Sequence, residues 1–127
     1  MDKYIYSVTT INLSSYDIDL MKDDIHATDF SCYCMNVWET EEDARNSLLT
    51  NHFDVWEGFT FRLAVIEKMI IGQPWTTEKV AWFCVKEINE VKEEPLSDGT
   101  PCIRYEPKIV EVEQPKAFEG ICNLGIG

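Results

Sequence analysis

The side chains best suited to chemistry in this sequence are its three arginines, because they stand in a strongly acidic chain. Arg62 lies inside the longest near-continuous apolar run, residues 59–72 (FTFRLAVIEKMIIG), and Arg104 lies between apolar neighbours in a later run. Arg45 is expected on the solvated face of a helix. A guanidinium among apolar side chains is costly unless a carboxylate or a ligand neutralises it. The pattern therefore leaves two interpretations open, an internal salt bridge with Glu or a cationic pocket for a compact phosphate ligand.

Aromatic residues near these arginines extend the second interpretation. A ring beside a phosphate-binding arginine can stack on a nucleotide base, since every base has an apolar face. The aromatic candidates are Trp56, Trp82, Phe83 and Tyr105.

Other motifs that could carry catalysis or bind a metal are incomplete. His26-Ala27-Thr28 matches the H-x-T triplet of two-histidine phosphoesterases, but that chemistry needs two such triplets to supply an acid and a base. The only other histidine begins His52-Phe53-Asp54, which lacks the hydroxyl. Cys32 and Cys34 are spaced too closely for a usual zinc pair, and the remaining cysteines are single, so we expect buried free thiols and no metal. The sequence predicts a protein that is not an enzyme and needs no cofactor.

The net charge limits the partners. The chain has 23 acidic and 11 basic residues, a formal charge of −12, and such a surface repels the phosphate backbone of nucleic acids. It favours a basic partner instead, which keeps open an acidic inhibitor that mimics nucleic acid. The first residues show no signal peptide and no segment is long enough to span a bilayer, so we expect a cytoplasmic protein with no membrane contact.

The periodicity predicts an α+β fold, a mainly antiparallel sheet of about five strands with one or two helices packed on one face. At 127 residues the chain is expected to form a single domain, 1–127. A helix is predicted from a cap at Thr40 to about residue 51, with one more turn near residues 54–58. The expected strands are residues 3–11, 30–38, 59–71, 79–89 and 102–112, with turns at 75–78 and a loop over 90–99.

The sheet should be apolar on both faces. One helix covers only one face of five strands, so the other face should be covered by the C-terminal tail or by a second copy of the chain. On that reasoning we expect a homodimer. The apolar residues assigned to this uncovered face are Phe61, Leu63, Trp82, Phe83 and Val85.

Three segments carry a likeness to a known family: the spacing of Asn51, Asp54 and Glu57, residues 64–67 (AVIE), and the tail 121–127 (ICNLGIG). In these the chain resembles the first type of Thoeris anti-defence protein, a group of small phage-encoded proteins. The resemblance implies a compact α+β fold that dimerises, with ligand pockets at the subunit interface. It also implies a sponge that binds cyclic ADP-ribose isomers in the host cytoplasm without cleaving them, thereby blocking bacterial defence. Related members sequester cyclic oligonucleotides.

Combined with the arginine argument, the resemblance suggests a binding mode. Arg62 and Arg104 would neutralise a pyrophosphate, a ring would stack on adenine, and an amide would bond to the base edge or ribose. The candidate ligand-binding residues are Arg62, Arg104, Phe83, Trp82, Asn89, Tyr105 and Asn123. The alternatives are an acidic inhibitor of a host defence nuclease, or a phosphodiesterase acting on the same signals.

Overall fold

The computed structural model describes residues 3–13, 30–57 and 62–115. Within these residues five strands form one sheet in the order β2-β1-β3-β4-β5, and every neighbouring pair is antiparallel. The elements are β1 (Tyr4–Leu13), β2 (Phe30–Trp38), helix α1 (Glu41–Leu49), a 3-10 turn (His52–Asp54), β3 (Leu63–Ile70), β4 (Gln73–Glu93) and β5 (Cys102–Val112). The mainly antiparallel α+β fold is confirmed.

β3 is the middle strand of the sheet, as its two apolar faces predict. Its side chains alternate between two layers: Ala64 and Ile66 pack on the same side as α1, while Leu63 and Val65 pack on the opposite side. All four are buried. This central strand begins one residue after Arg62, so the arginine is not part of it.

Helix α1 begins where its capping residue predicts. Thr40 is extended, and its Oγ1 accepts a hydrogen bond from the backbone N–H of Asp43 at 3.1 Å. Three acidic residues fill the first turn, where the helix dipole favours negative charge. Ala44 and Leu48 face the sheet and are fully buried. No helix in the described part of the chain is long and apolar enough to cross a membrane.

The sheet face away from α1 is covered within a single chain, so the prediction that this face needs a second copy is wrong. Leu63 and Trp82 on the face away from α1 are at most 4% exposed in the single chain, and Phe83 and Val85 lie on the α1 side. Phe61 lies outside the described residues. Since these side chains are already covered within one chain, they do not require a second copy; the dimer itself stays a prediction.

The fourth strand is much longer than predicted. The expected turn at residues 75–78 is part of β4, which runs for 21 residues after a turn at Ile71 and Gly72. The left-handed φ of 84° at Gly72 suits a residue without a Cβ. β4 also continues to Glu93, into the segment expected to be a loop.

A two-stranded arm follows from this length. The pairing of β3 with β4 reaches only Leu63 opposite Cys84, so residues 87–93 of β4 pair with residues 102–108 of β5 alone among the described strands. β5 is an edge strand, as the proline at position 107 predicts.

Candidate functional site

Arg104 lies on the arm and is neutralised by the protein itself. It is exposed, and its guanidinium donates hydrogen bonds to the carboxylates of Glu93 and Glu106. The bond to Glu93 and then that to Glu106 raise the pKa of Arg104, which keeps the group charged. The salt-bridge interpretation is therefore correct for this arginine. Arg104 lies in a strand between the apolar residues Ile103 and Tyr105, as predicted, but all three are exposed.

Arg45 is also held by two carboxylates. Its guanidinium lies 2.8 Å from a carboxylate oxygen of Glu41 in the same helix and 2.8 Å from one of Glu111 on β5, and it covers the ring of Phe83 at 5.6 Å. The hydrogen bond to Glu41 is the main reason that its pKa is raised. Arg45 is only partly solvated, with 31% of its side chain exposed, and its contacts connect α1 to the sheet.

Arg62 differs from the other two arginines. It is exposed, and among the residues that the structure describes no carboxylate forms an ion pair with it. Its carbonyl oxygen accepts a hydrogen bond from the backbone N–H of Val85 at 3.0 Å, which places it beside β4 just before β3 begins. The prediction that it is buried in the central strand is wrong.

A lysine stands next to this arginine. The register of β4 against β5 shifts between Val85 and Glu87, so Lys86 is the extra residue of a β-bulge. Lys86 is exposed and follows directly on the residue bonded to Arg62. Burial raises the pKa of the Cys84 thiol, and the positive charge of Lys86 lowers it by a smaller amount. We call Arg62 and Lys86 the basal cations of the arm.

Lys108 flanks the basal cations on the next strand. It pairs with Glu87 across the sheet, and its Nζ lies 3.9 Å from a carboxylate oxygen of that residue. Sequence reasoning missed both lysines. The sequence indicates Lys86 only weakly, as a charged residue directly after the apolar part of β4. The bulge that places it after the partner of Arg62 depends on how the strands pair, which the sequence does not show.

The two arginines predicted to share one ligand are far apart in a single chain. Arg104 pairs with Val91 on β4, whereas Arg62 is bonded to Val85, six positions earlier on the same strand. At roughly 3.3 Å per residue this separation is about 20 Å. The structure therefore does not bring Arg62 and Arg104 together within one chain, and their joint contact with a pyrophosphate stays a prediction.

The aromatic and amide candidates are also split between the core and the arm. Trp82 and Phe83 are 4% and 2% exposed and pack into opposite faces of the sheet, so neither offers a free ring face to a base. Trp56 is also buried. Tyr105 is exposed on the arm, and Asn89 is exposed on the opposite face of the arm, since it pairs with Glu106. Asn123 lies outside the described residues.

A buried polar group lies on the sheet face away from α1. Ser7 and Glu67 are cross-strand partners and Thr9 lies on the same face, all three fully buried. The hydroxyl of Ser7 has no hydrogen-bond partner among the described residues. Thr10 and Ser47 are the other buried polar residues among those that the structure describes.

Two thiols lie beside this buried polar group. Cys34 and Cys32 pair with Thr9 and Ile11, and burial followed by the charge of Glu67 raises the pKa of both thiols. Cys34 is exposed as a residue, so the expectation that it is buried is wrong. All four described cysteines are free thiols, and the described residues contain no group of three or more side chains suited to hold a metal.

A scan against protein-family models finds no match, and searches of curated proteins and of solved structures find none either. The function must therefore be inferred from the residues of the chain itself.

Proposed function

We propose that this protein is a non-catalytic sponge that binds small cyclic nucleotide signals of the cyclic ADP-ribose type, glycocyclic ADP-ribose among them. In this proposal it is phage-encoded, acts in the host cytoplasm and blocks bacterial defence by withholding the signal from its receptor. The resemblance in residues 51–57, 64–67 and 121–127 supports the ligand class. The structural observation that carries the proposal is the exposed Arg62, which no described carboxylate neutralises.

The other two arginines are both neutralised by glutamates, which sets Arg62 apart. Arg45 and Arg104 each contact two glutamates, as expected in a chain with about twice as many acidic as basic residues. Arg62 keeps its planar set of donors available, which suits bidentate contact with a phosphate. Lys86 follows the residue that is hydrogen-bonded to Arg62, and so supplies a second exposed cation on the neighbouring strand of a protein with a formal charge of −12.

Sequestration needs only tight binding, so no nucleophile or general base is required at this site. A sponge lowers the free signal when its dissociation constant is below the signal concentration, and each tenfold gain in affinity corresponds to about 1.4 kcal/mol. Arg104 is not part of the proposed contact, because Glu93 and Glu106 already occupy it.

The test is a calorimetric titration with cyclic ADP-ribose of the wild-type protein and of Arg62→Ala. We expect binding to weaken about tenfold or more in Arg62→Ala, because a charged hydrogen bond to phosphate is lost, and to be partly kept in Arg62→Lys. Arg104→Ala is the matched control and should bind as the wild type does. Equal affinity of Arg62→Ala and the wild type would contradict the proposed site.

A second measurement separates a sponge from an enzyme. The protein is incubated with cyclic ADP-ribose and then denatured by heat, and the small molecule is analysed by mass spectrometry. Recovery of intact ligand supports sequestration, whereas a hydrolysed product would establish the phosphodiesterase alternative. Native mass spectrometry of the same mixture gives the stoichiometry and tests the proposed homodimer.

A further inference from the structure

The loop at residues 51–57, between the end of α1 and β3, concentrates unusual backbone geometry. Asn51, Phe53, Asp54 and Glu57 have φ angles of 50°, 50°, 53° and 47°. Asparagine and aspartate tolerate this left-handed region, but a bulky residue such as phenylalanine is a genuine outlier there. Strained residues of this kind persist only where the surrounding structure holds them, and they cluster at functional sites.

Trp56 holds the loop in place. Its side chain is fully buried, its indole N–H donates to the carbonyl of Leu48 at 2.9 Å, and its backbone N–H donates to the side-chain oxygen of Asn51 at 3.1 Å. Val55 beside it is only 2% exposed. The two ends of the loop are therefore fixed against the end of α1 and the core, so the strained backbone between them is a defined conformation.

This conformation points an aromatic ring outward. Phe53 is 92% exposed, the highest value among the large apolar side chains that the structure describes. Its ring contacts that of His52 at 4.3 Å, and the His52 ring in turn lies 5.7 Å from that of Trp38 at the end of β2. An aromatic ring exposed to this degree is suited to act as an interface anchor, because it can fill a pocket on a partner at little cost in conformational entropy.

The charges around this ring are acidic. Asp54 and Glu57 in the loop and Glu39 next to Trp38 are exposed, and no lysine or arginine occurs between Arg45 and Arg62. An anionic ligand would be repelled here, whereas lysine and arginine side chains of a protein partner would be attracted. The charge at this loop is thus negative, whereas the basal cations are positive.

We propose that the 51–57 loop is a docking site for a protein partner that has an apolar pocket for Phe53 and a rim of lysine or arginine. In this proposal the rim is contacted by the carboxylate of Glu57 and by that of Asp54, which also accepts a hydrogen bond from the side-chain amide of Asn51 at 3.2 Å. The residues of this docking site differ from the basal cations, which are the proposed nucleotide-binding residues, so each function can be tested with its own variants.

A random-peptide display library panned against the full chain tests this proposal and does not require the partner to be identified first. We expect the selected peptides to contain an apolar residue flanked by lysine or arginine. Their affinity should fall about tenfold or more in Phe53→Ala and fall as the salt concentration rises. Trp75→Ala is the matched control, because Trp75 is another highly exposed aromatic residue, 77% exposed, and it lies in the turn-proximal part of β4.

Three outcomes would overturn the proposal: no peptide is selected, the selected peptides lack basic residues, or they bind Phe53→Ala and Trp75→Ala equally well. Circular dichroism of Phe53→Ala confirms that the variant is folded, and Asp54→Asn with Glu57→Gln provides a second variant that leaves the ring in place. That double variant should weaken the peptides and reduce their salt dependence. Because Arg62 is intact in all of these variants, their binding of cyclic ADP-ribose reports separately on the sponge.

Discussion

The three arginines carry the same charge, yet their neighbours give them three different roles. Arg45 connects helix to sheet and Arg104 stays within the arm, each between two glutamates. Arg62 has no carboxylate partner among the described residues and stands beside Lys86. An arginine in the sequence therefore predicts that its charge needs a partner. Which carboxylate supplies that partner, if any does, depends on the register of the strands.

The contacts of Arg45 lead to a prediction about stability. Arg45→Ala should lower the free energy of unfolding by about 1 kcal/mol, because two ion pairs and the contact with the ring of Phe83 are lost from a side chain that is 31% exposed. Urea denaturation followed by circular dichroism measures the change. Lys108→Ala, which removes only an exposed pair at 3.9 Å, should change stability by less. Equal effects in the two variants would argue against the connecting role.

The thiols near Glu67 lead to a prediction about pH. Burial and then the charge of Glu67 raise the pKa of Cys34 above its ordinary value of 9.0, so its reactive thiolate forms only at more alkaline pH. Glu67→Gln removes the negative charge, and the midpoint of the pH profile for alkylation should move to lower pH. The alkylation rate at Cys34 is measured by mass spectrometry, with Cys102 on the arm as the internal control. An unchanged midpoint at Cys34 would show that the carboxylate has no effect there.

At the scale of elements, sequence patterns predicted the structure correctly where the deciding residues are neighbours in sequence. Thr40 and the acidic residues after it predict the start of α1, and the proline at 107 predicts an edge strand. The sequence patterns gave the wrong strand boundaries where pairing with a distant strand determines how far a strand extends. The turn expected at residues 75–78 became strand, because pairing with the end of β3 and then with β5 extends β4 over 21 residues.

The strained loop allows a prediction at this scale. Phe53→Gly should raise the free energy of unfolding by about 1 kcal/mol, because glycine adopts the left-handed region without the steric penalty of a Cβ. Phe53→Ala retains a Cβ and should not be stabilised by this mechanism. Thermal unfolding of both variants gives the comparison. If Phe53→Gly is no more stable than Phe53→Ala, the backbone at this position is not strained.

At the scale of the whole molecule, the arm leaves a long edge strand exposed. Edge strands offer a row of N–H and C=O groups to other chains, and proline interrupts the row of donors because it has no N–H. Pro107 occupies that position on β5, opposite Ile88. The fold therefore limits edge-to-edge association at the arm, even though Ile103 and Tyr105 nearby are exposed.

Replacing this proline should change the state of association. Pro107→Thr restores a donor and introduces a β-branched side chain, so we expect larger species at high protein concentration than in the wild type. Light scattering coupled to size-exclusion chromatography measures this. Pro101→Thr, just before β5, is the control and should leave the mass unchanged. A Pro107→Thr protein of wild-type mass at all concentrations would show that the edge is protected by other features.

The sequence by itself determined the class of fold, the central position of β3, the capped start of α1 and the edge character of the last described strand. Each of these depends on apolar periodicity or on the chemistry of a few adjacent residues, and distant contacts do not enter into it. Only the tertiary structure decided which arginines are neutralised, that Trp82 and Phe83 are covered on opposite faces, and that Lys86 lies beside Arg62. These outcomes follow from the register and bulges of paired strands, because one residue of register moves a side chain to the other face of a sheet.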